Sequence, residues 1–137
     1  LGSPRASMKF YRREGGEFTY EAPRPHAAVL ALMATCDVLC LPSIVEGRAL
    51  VIQEAMSAGL PVIITPNTGA DDLVEDGRNG FVVPVRSPDV LAARIAWLAD
   101  HRAEIPDMRQ AARAAAARAS WENYGATVLN ALTLPPS

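Results

Sequence analysis

"DVLCLPSIVEGRALVIQEAMSAGLPVIIT", residues 37–65, decides the fold. "DVLCLP" (37–42) is a short, almost wholly apolar run, as expected for a strand covered on both faces in a parallel sheet. Pro42 and Ser43 end it. "EGRALVIQEAMSAG" (46–59) then reads as an apolar helix. Gly59 suits a helix C-terminus, and Pro61 prevents continuation. "VIIT" (62–65) is a second buried strand. Upstream, "PRPHAAVLALMAT" (23–35) predicts a helix that starts on prolines, and "EFTY" (17–20) is a candidate short strand. Downstream, "GADDLVED" (69–76) predicts a short helix with acids in its first turn. "DGRNG" (76–80) is a double turn signal, and "FVVPV" (81–85) is a strand whose Pro84 marks the end or edge of a sheet. Ser87 and Pro88 start a helix to about Asp100 as N-cap and N1. Asp107 and Gln110 suggest a capping box for a helix from Met108 to Arg118. Ser120 caps a last helix.

Strands alternating with helices, the strands short and apolar, mean an α/β fold: a parallel, doubly wound sheet with helices on both faces. Such a sheet binds ligands at the carboxyl ends of its strands. Ser43 to Arg48, Thr65 to Asp72 and Val85 to Ser87 fall on that edge. The chain of 137 residues divides into an irregular, basic lead (1–16), one domain (17–131) and a tail (132–137). The net charge of −2 points away from nucleic acid. Residues 37–89 hold three basic and eight acidic side chains, mostly at helix starts and turns. Cys36 and Cys40 have no further cysteine to pair with, so they read as core thiols rather than metal ligands. A reducing cytoplasm fits them. No apolar run approaches the roughly 20 residues of a membrane span.

Glu46 stands at the mouth of the 46–59 helix, and Glu54 lies inside it among Val51, Ile52, Ala55 and Met56. A carboxylate in such company needs a partner. Metal ligation needs several converging carboxylates, which one loop and helix do not supply. The carboxylate pair of a glycoside hydrolase lies about 5 to 9 Å apart, whereas these two are on the order of 10 Å apart or more. Hydroxyl recognition remains. Carboxylates accept from sugar and ribose hydroxyls, and the helix N-terminus between them attracts an anion. A nucleotide-sugar meets that description without being forced by it. A salt bridge to an arginine for Glu54, and a dipole-favoured acid near a helix start for Glu46, stand beside it.

The segment 36–85, with its two glutamates separated by seven residues, its "LPS", "EAM", "GLPV" and "DGRNG", resembles the C-terminal, donor-binding domain of retaining glycosyltransferases of GT-B fold. The likeness covers about residues 17–131. It implies Glu46 as the catalytic residue near the sugar hydroxyls. It implies Glu54 on the ribose, with Ser43, Thr68, Gly69 and Asp72 lining the donor site and the N–H groups of Gly47, Arg48, Ala49 and Leu50 facing the diphosphate. It further implies a nucleoside diphosphate sugar as donor, a hexosyl group as the one transferred, and no required cofactor or metal. In such enzymes the helix N-terminus and basic groups stabilise the leaving phosphate.

Arg48 and Ala49 replace an aromatic residue and a glycine common in the family, and Asp72 replaces the more usual Glu. The family's two opening strands, with their Arg and Lys, find no match, since Arg12 and Arg13 lack a strand context. The N-terminal acceptor domain is not represented either. The chain is therefore expected to be part of a transferase, inactive alone. Its uncovered sheet edge invites self-association. Peripheral membrane association of the parent protein is left open. A non-catalytic binding fragment and a nucleotide-sugar epimerase of GT-B shape are the alternatives. His26 is expected to be solvent-exposed or capping, His101 a helix cap, and Trp97 and Trp121 core residues. Arg109, Arg113 and Arg118 are expected to form a solvated stripe.

Overall fold

The computed structural model describes residues 18–47, 49–70 and 72–119. The lead, Glu17, Arg48, the segment from Ser120 with Trp121, and the tail lie outside them. The elements are α1 (His26–Ala34), β1 (Leu39–Leu41), α2 (Leu50–Ser57), β2 (Val62–Ile64), β3 (Gly80–Val82), α3 (Pro88–Asp100) and α4 (Ile105–Arg118). The strands form a parallel sheet in the order β1-β2-β3, with Leu39 opposite Val62 and Val62 opposite Gly80.

Successive residues of a strand face opposite sides, and β2 shows how that divides the core. Val62 and Ile64 pack with Met33 of α1, Ile52, Ala55 and Met56 of α2, and Ala112, Ala115 and Ala116 of α4. Ile63 points the other way, into a cluster with Phe81, Val83, Leu98 of α3 and Met108 of α4. Helices thus cover both faces, as the strand–helix alternation requires. Trp97 sits at the second cluster, edge-on to Phe81 at 5.2 Å. His101 closes α3 as expected, its Nδ1 2.8 Å from the Trp97 carbonyl.

Several expectations fail for identifiable reasons. Residues 18–20 form no strand. β1 is not buried on both faces. Among the described residues it is an edge strand, and Cys40 lies exposed on it while Cys36 is half-buried. The "GADDLVED" helix is absent among the described residues, and a turn takes its place. Buried Asn79 explains why: its amide donates to the Leu73 carbonyl at 3.0 Å, and its Oδ1 accepts the Glu75 N–H at 2.8 Å. Those bonds capture groups a helix would have used. α4 starts at Ile105 rather than Met108, with Glu104 at the N-cap position and Pro106 in the first turn, so the Asp107–Gln110 box does not form. Ser87 holds the N-cap position of α3, but its hydroxyl donates to the Val85 carbonyl instead of capping.

Of the arginines of α4, Arg113 and Arg118 are exposed as expected and Arg109 is half-buried, and all three make contacts. Arg109 donates to the Cys36 carbonyl at 2.7 Å, just past α1, and lies 3.5 Å from Asp37. Arg113 reaches the Ala58 carbonyl at the end of α2, and Arg118 pairs with Glu75. Cations at exposed carbonyls of helix ends are favourable, so this helix fastens the ends of α1 and α2. Gly80 is required where β3 meets β2, because a Cβ there would lie 2.9 Å from the Val62 side chain and closer still to its carbonyl oxygen.

Candidate functional site

The carboxyl ends of β1 and β2 open into two loops, and backbone bonds tie those loops together. Glu46 N–H donates to the Asn67 carbonyl at 3.0 Å, and Ala49 N–H to the Thr68 carbonyl at 3.1 Å. Asn67 and Gly69 adopt left-handed conformations, φ 70° and 67°. Glycine takes that conformation freely and asparagine tolerates it. The backbone therefore doubles back and offers both carbonyls to the neighbouring loop. Thr65 reinforces the junction by donating its hydroxyl to the Ser43 carbonyl. Ser43 in turn donates its own hydroxyl to Glu46 Oε1 at 3.1 Å. Ser43, Glu46, Ala49 and Thr68 thus form one hydrogen-bonded unit at the strand ends.

α2 starts from this unit. No side chain caps it and no acid lies in its first turn. The leading N–H groups of a helix have no carbonyl a turn earlier, so its mouth keeps the partial positive charge of the helix dipole. Ala49 N–H is committed to Thr68, so of the four N–H groups expected to face an anion this one is occupied within the chain. Gly47 is exposed, and a Cβ there would meet nothing within 4 Å, which leaves open space at the helix mouth. Leu50 is exposed, and Asp72 lies exposed in the turn beyond Gly69. Thr68 is fully buried, yet its Oγ1 has no hydrogen-bond partner among the described residues. A buried hydroxyl left unpaired is costly.

Glu54 lies in a separate cleft of 540 Å³ between α1 and α2, lined by His26, Leu30, Leu50, Gln53, Ser57 and Ala58 besides Glu54 itself. Among the described residues no arginine holds it. Its Oε1 accepts from His26 Nε2 at 2.8 Å; the imidazole is solvent-exposed, as expected, and the bond to Glu54 is what the expectation lacked. Ser43 and Thr65 do not line this cleft. A second cleft, 310 Å³, lies at the strand ends on the β3 side, where Arg86 joins Ile44, Thr65 and Leu91. Its backbone is left-handed, φ 58°. Sequence reading placed residues 85–87 on this edge without singling out Arg86, whose only sequence signal was its position after Pro84. His26 carried no signal toward Glu54, 28 residues away.

The chain matches the description "Glycosyl transferases group 1" over residues 18–114. It belongs to that glycosyltransferase family. A D-inositol 3-phosphate glycosyltransferase of Corynebacterium urealyticum is 33% identical over 101 residues, 74% of this chain and 24% of that protein. A GDP-mannose-dependent alpha-(1-6)-phosphatidylinositol monomannoside mannosyltransferase of Mycobacterium tuberculosis is 33% identical over 119 residues, 86% of this chain and 31% of that protein. The sucrose-phosphate synthase of Thermosynechococcus elongatus superposes with a TM-score of 0.79 over 95% of this chain and 35% of its own, at 23% identity. That last likeness establishes the fold, a Rossmann-like sheet of the GT-B type. This glycosyltransferase chain spans about a quarter to a third of those curated relatives. Among its described residues no helix is long and apolar enough to cross a membrane.

Proposed function

We propose that this chain is the donor-binding part of a retaining glycosyltransferase that takes a hexosyl group from a nucleoside diphosphate sugar in the cytoplasm. The observation that carries the reading is the uncapped mouth of α2 with a carboxylate on either side of it, Glu46 at the strand ends and Glu54 in the α1–α2 cleft. The diphosphate sits at the helix mouth, where N–H groups and the dipole favour negative charge. Glu46, held toward the strand ends by Ser43, accepts from sugar hydroxyls. Glu54 accepts from ribose hydroxyls in its cleft, and the buried Thr68 hydroxyl gains a partner at the diphosphate. Gly69 and Asp72 border the sugar side. An acceptor-binding domain completes the cleft, in keeping with the share of its relatives that this chain spans.

Calorimetry on the full-length protein with nucleoside diphosphate alone, together with an assay of sugar transfer, tests this. Glu54→Ala should weaken nucleoside diphosphate binding by about 1.5 to 3 kcal/mol, the worth of a hydrogen bond to a charged acceptor. Glu46→Ala should leave that affinity nearly unchanged and depress transfer. Equal losses of affinity in both variants would overturn the division of roles. The 137 residues alone should show no turnover, because holding donor and acceptor together contributes about 7 to 11 kcal/mol of barrier lowering. Robust release of nucleoside diphosphate by this chain by itself would contradict that.

A further inference from the structure

We infer that His26 is a positioning residue for the donor nucleotide: it pins Glu54 so that one carboxylate oxygen stays aimed into the α1–α2 cleft for a ribose hydroxyl. The inference rests on the ribose reading of Glu54 and adds a residue to it. A carboxylate only accepts, so the imidazole N–H donates, and Oε1 is the oxygen engaged at 2.8 Å. Oε2 has no partner among the described residues. The backbone around His26 is rigid. Pro25 precedes it, and the Pro25 carbonyl accepts the N–H groups of both Ala28 and Val29, so His26 is locked as the first residue of α1. The core cluster then packs α1 against α2, which sets the distance. Glu54 carries three side-chain torsions that a ligand would otherwise have to freeze. A partner that freezes them beforehand improves affinity without touching the ligand. The His26 side chain is 66% exposed and that of Glu54 32% exposed. A pair this open contributes little to folding, so binding and stability respond differently to its loss.

The test uses full-length protein and calorimetry with GDP, UDP and ADP, then with the 2′,3′-dideoxy form of whichever binds best. Wild type should prefer the ribo form. Glu54→Gln should abolish most of that preference. His26→Ala should weaken ribo binding about three- to tenfold, leave dideoxy binding unchanged and leave the unfolding midpoint in urea where it was. His26→Gln, which keeps a side-chain N–H donor, should restore most of the preference. If His26→Ala retains the full ribo preference while Glu54→Gln loses it, the positioning role is wrong and the reading of Glu54 survives. If His26→Ala weakens ribo and dideoxy forms alike, His26 does not act through Glu54. A wild type that does not distinguish the two forms overturns the reading of Glu54, and the inference with it.

Discussion

Thr68→Val should stabilise this protein and weaken its hold on nucleoside diphosphate at the same time. Thr68 is fully buried and its hydroxyl unpaired among the described residues, while its carbonyl is already occupied by Ala49 N–H. Burying a hydroxyl without a hydrogen bond costs about 1 to 3 kcal/mol on the evidence of protein mutants. Valine keeps the shape and exchanges the hydroxyl for a methyl group, which removes that cost and adds apolar burial worth about 0.8 kcal/mol. The unfolding free energy should therefore rise by about 2 to 4 kcal/mol in urea, with an unchanged m-value. Affinity should fall about tenfold or more, because a hydrogen bond to a charged oxygen is worth about 1.5 to 3 kcal/mol. Thr68→Ser, which keeps the hydroxyl, should bind as wild type does. A destabilised Thr68→Val would show that the hydroxyl has a partner in the free protein. A stabilised variant with unchanged affinity would remove Thr68 from the donor site.

Gly80→Ala should lose about 2 to 4 kcal/mol of stability, since the new methyl meets the Val62 backbone and neither strand can yield without opening the sheet. A loss below about 1 kcal/mol in urea would mean that β2 and β3 shift apart freely. Glu75 is held below the ordinary carboxylate value of 4.5, first by its hydrogen bond from Arg78, which desolvation opposes, with the charges of Arg78 and Arg118 and a hydrogen bond from Arg118 adding to the lowering. Its contribution is present above that ordinary value and is lost as the pH falls through the lowered one. Wild type and Glu75→Gln should accordingly differ at pH 7 and converge in acid; a gap that stays constant would refute the pairing. Burial of the Cys40 sulfur raises its thiol pKa above the ordinary 9.0, although the residue as a whole is exposed. Labelling of Cys40 in a Cys36→Ser variant should therefore keep accelerating above pH 9, and a plateau reached below that value would contradict it.

Alternation along the chain was enough to place α1, β1, α2, β2, β3 and α3, because the strand and helix periods and the Gly59–Pro61 stop are local properties of the backbone. The "DGRNG" turn was legible for the same reason. What stood across the chain was not. Nothing local says that Asn79 will take the backbone groups of Leu73 and Glu75 and so replace the helix expected there with a turn. Nothing local says that β1 will lie at an edge and leave Cys40 exposed, or that Arg109 will reach the Cys36 carbonyl 73 residues away. The same division holds at the site. The sequence supplied Glu46 and Glu54 and the helix mouth between them, since spacing along one loop and helix is conserved on folding. That Ala49 N–H is committed to Thr68, that the Thr68 hydroxyl is left unpaired, and that His26 grips Glu54 were decided only when α1 packed on α2 and the two loops met. Contacts between residues far apart in sequence depend on how whole elements pack, and no short window of residues carries that information.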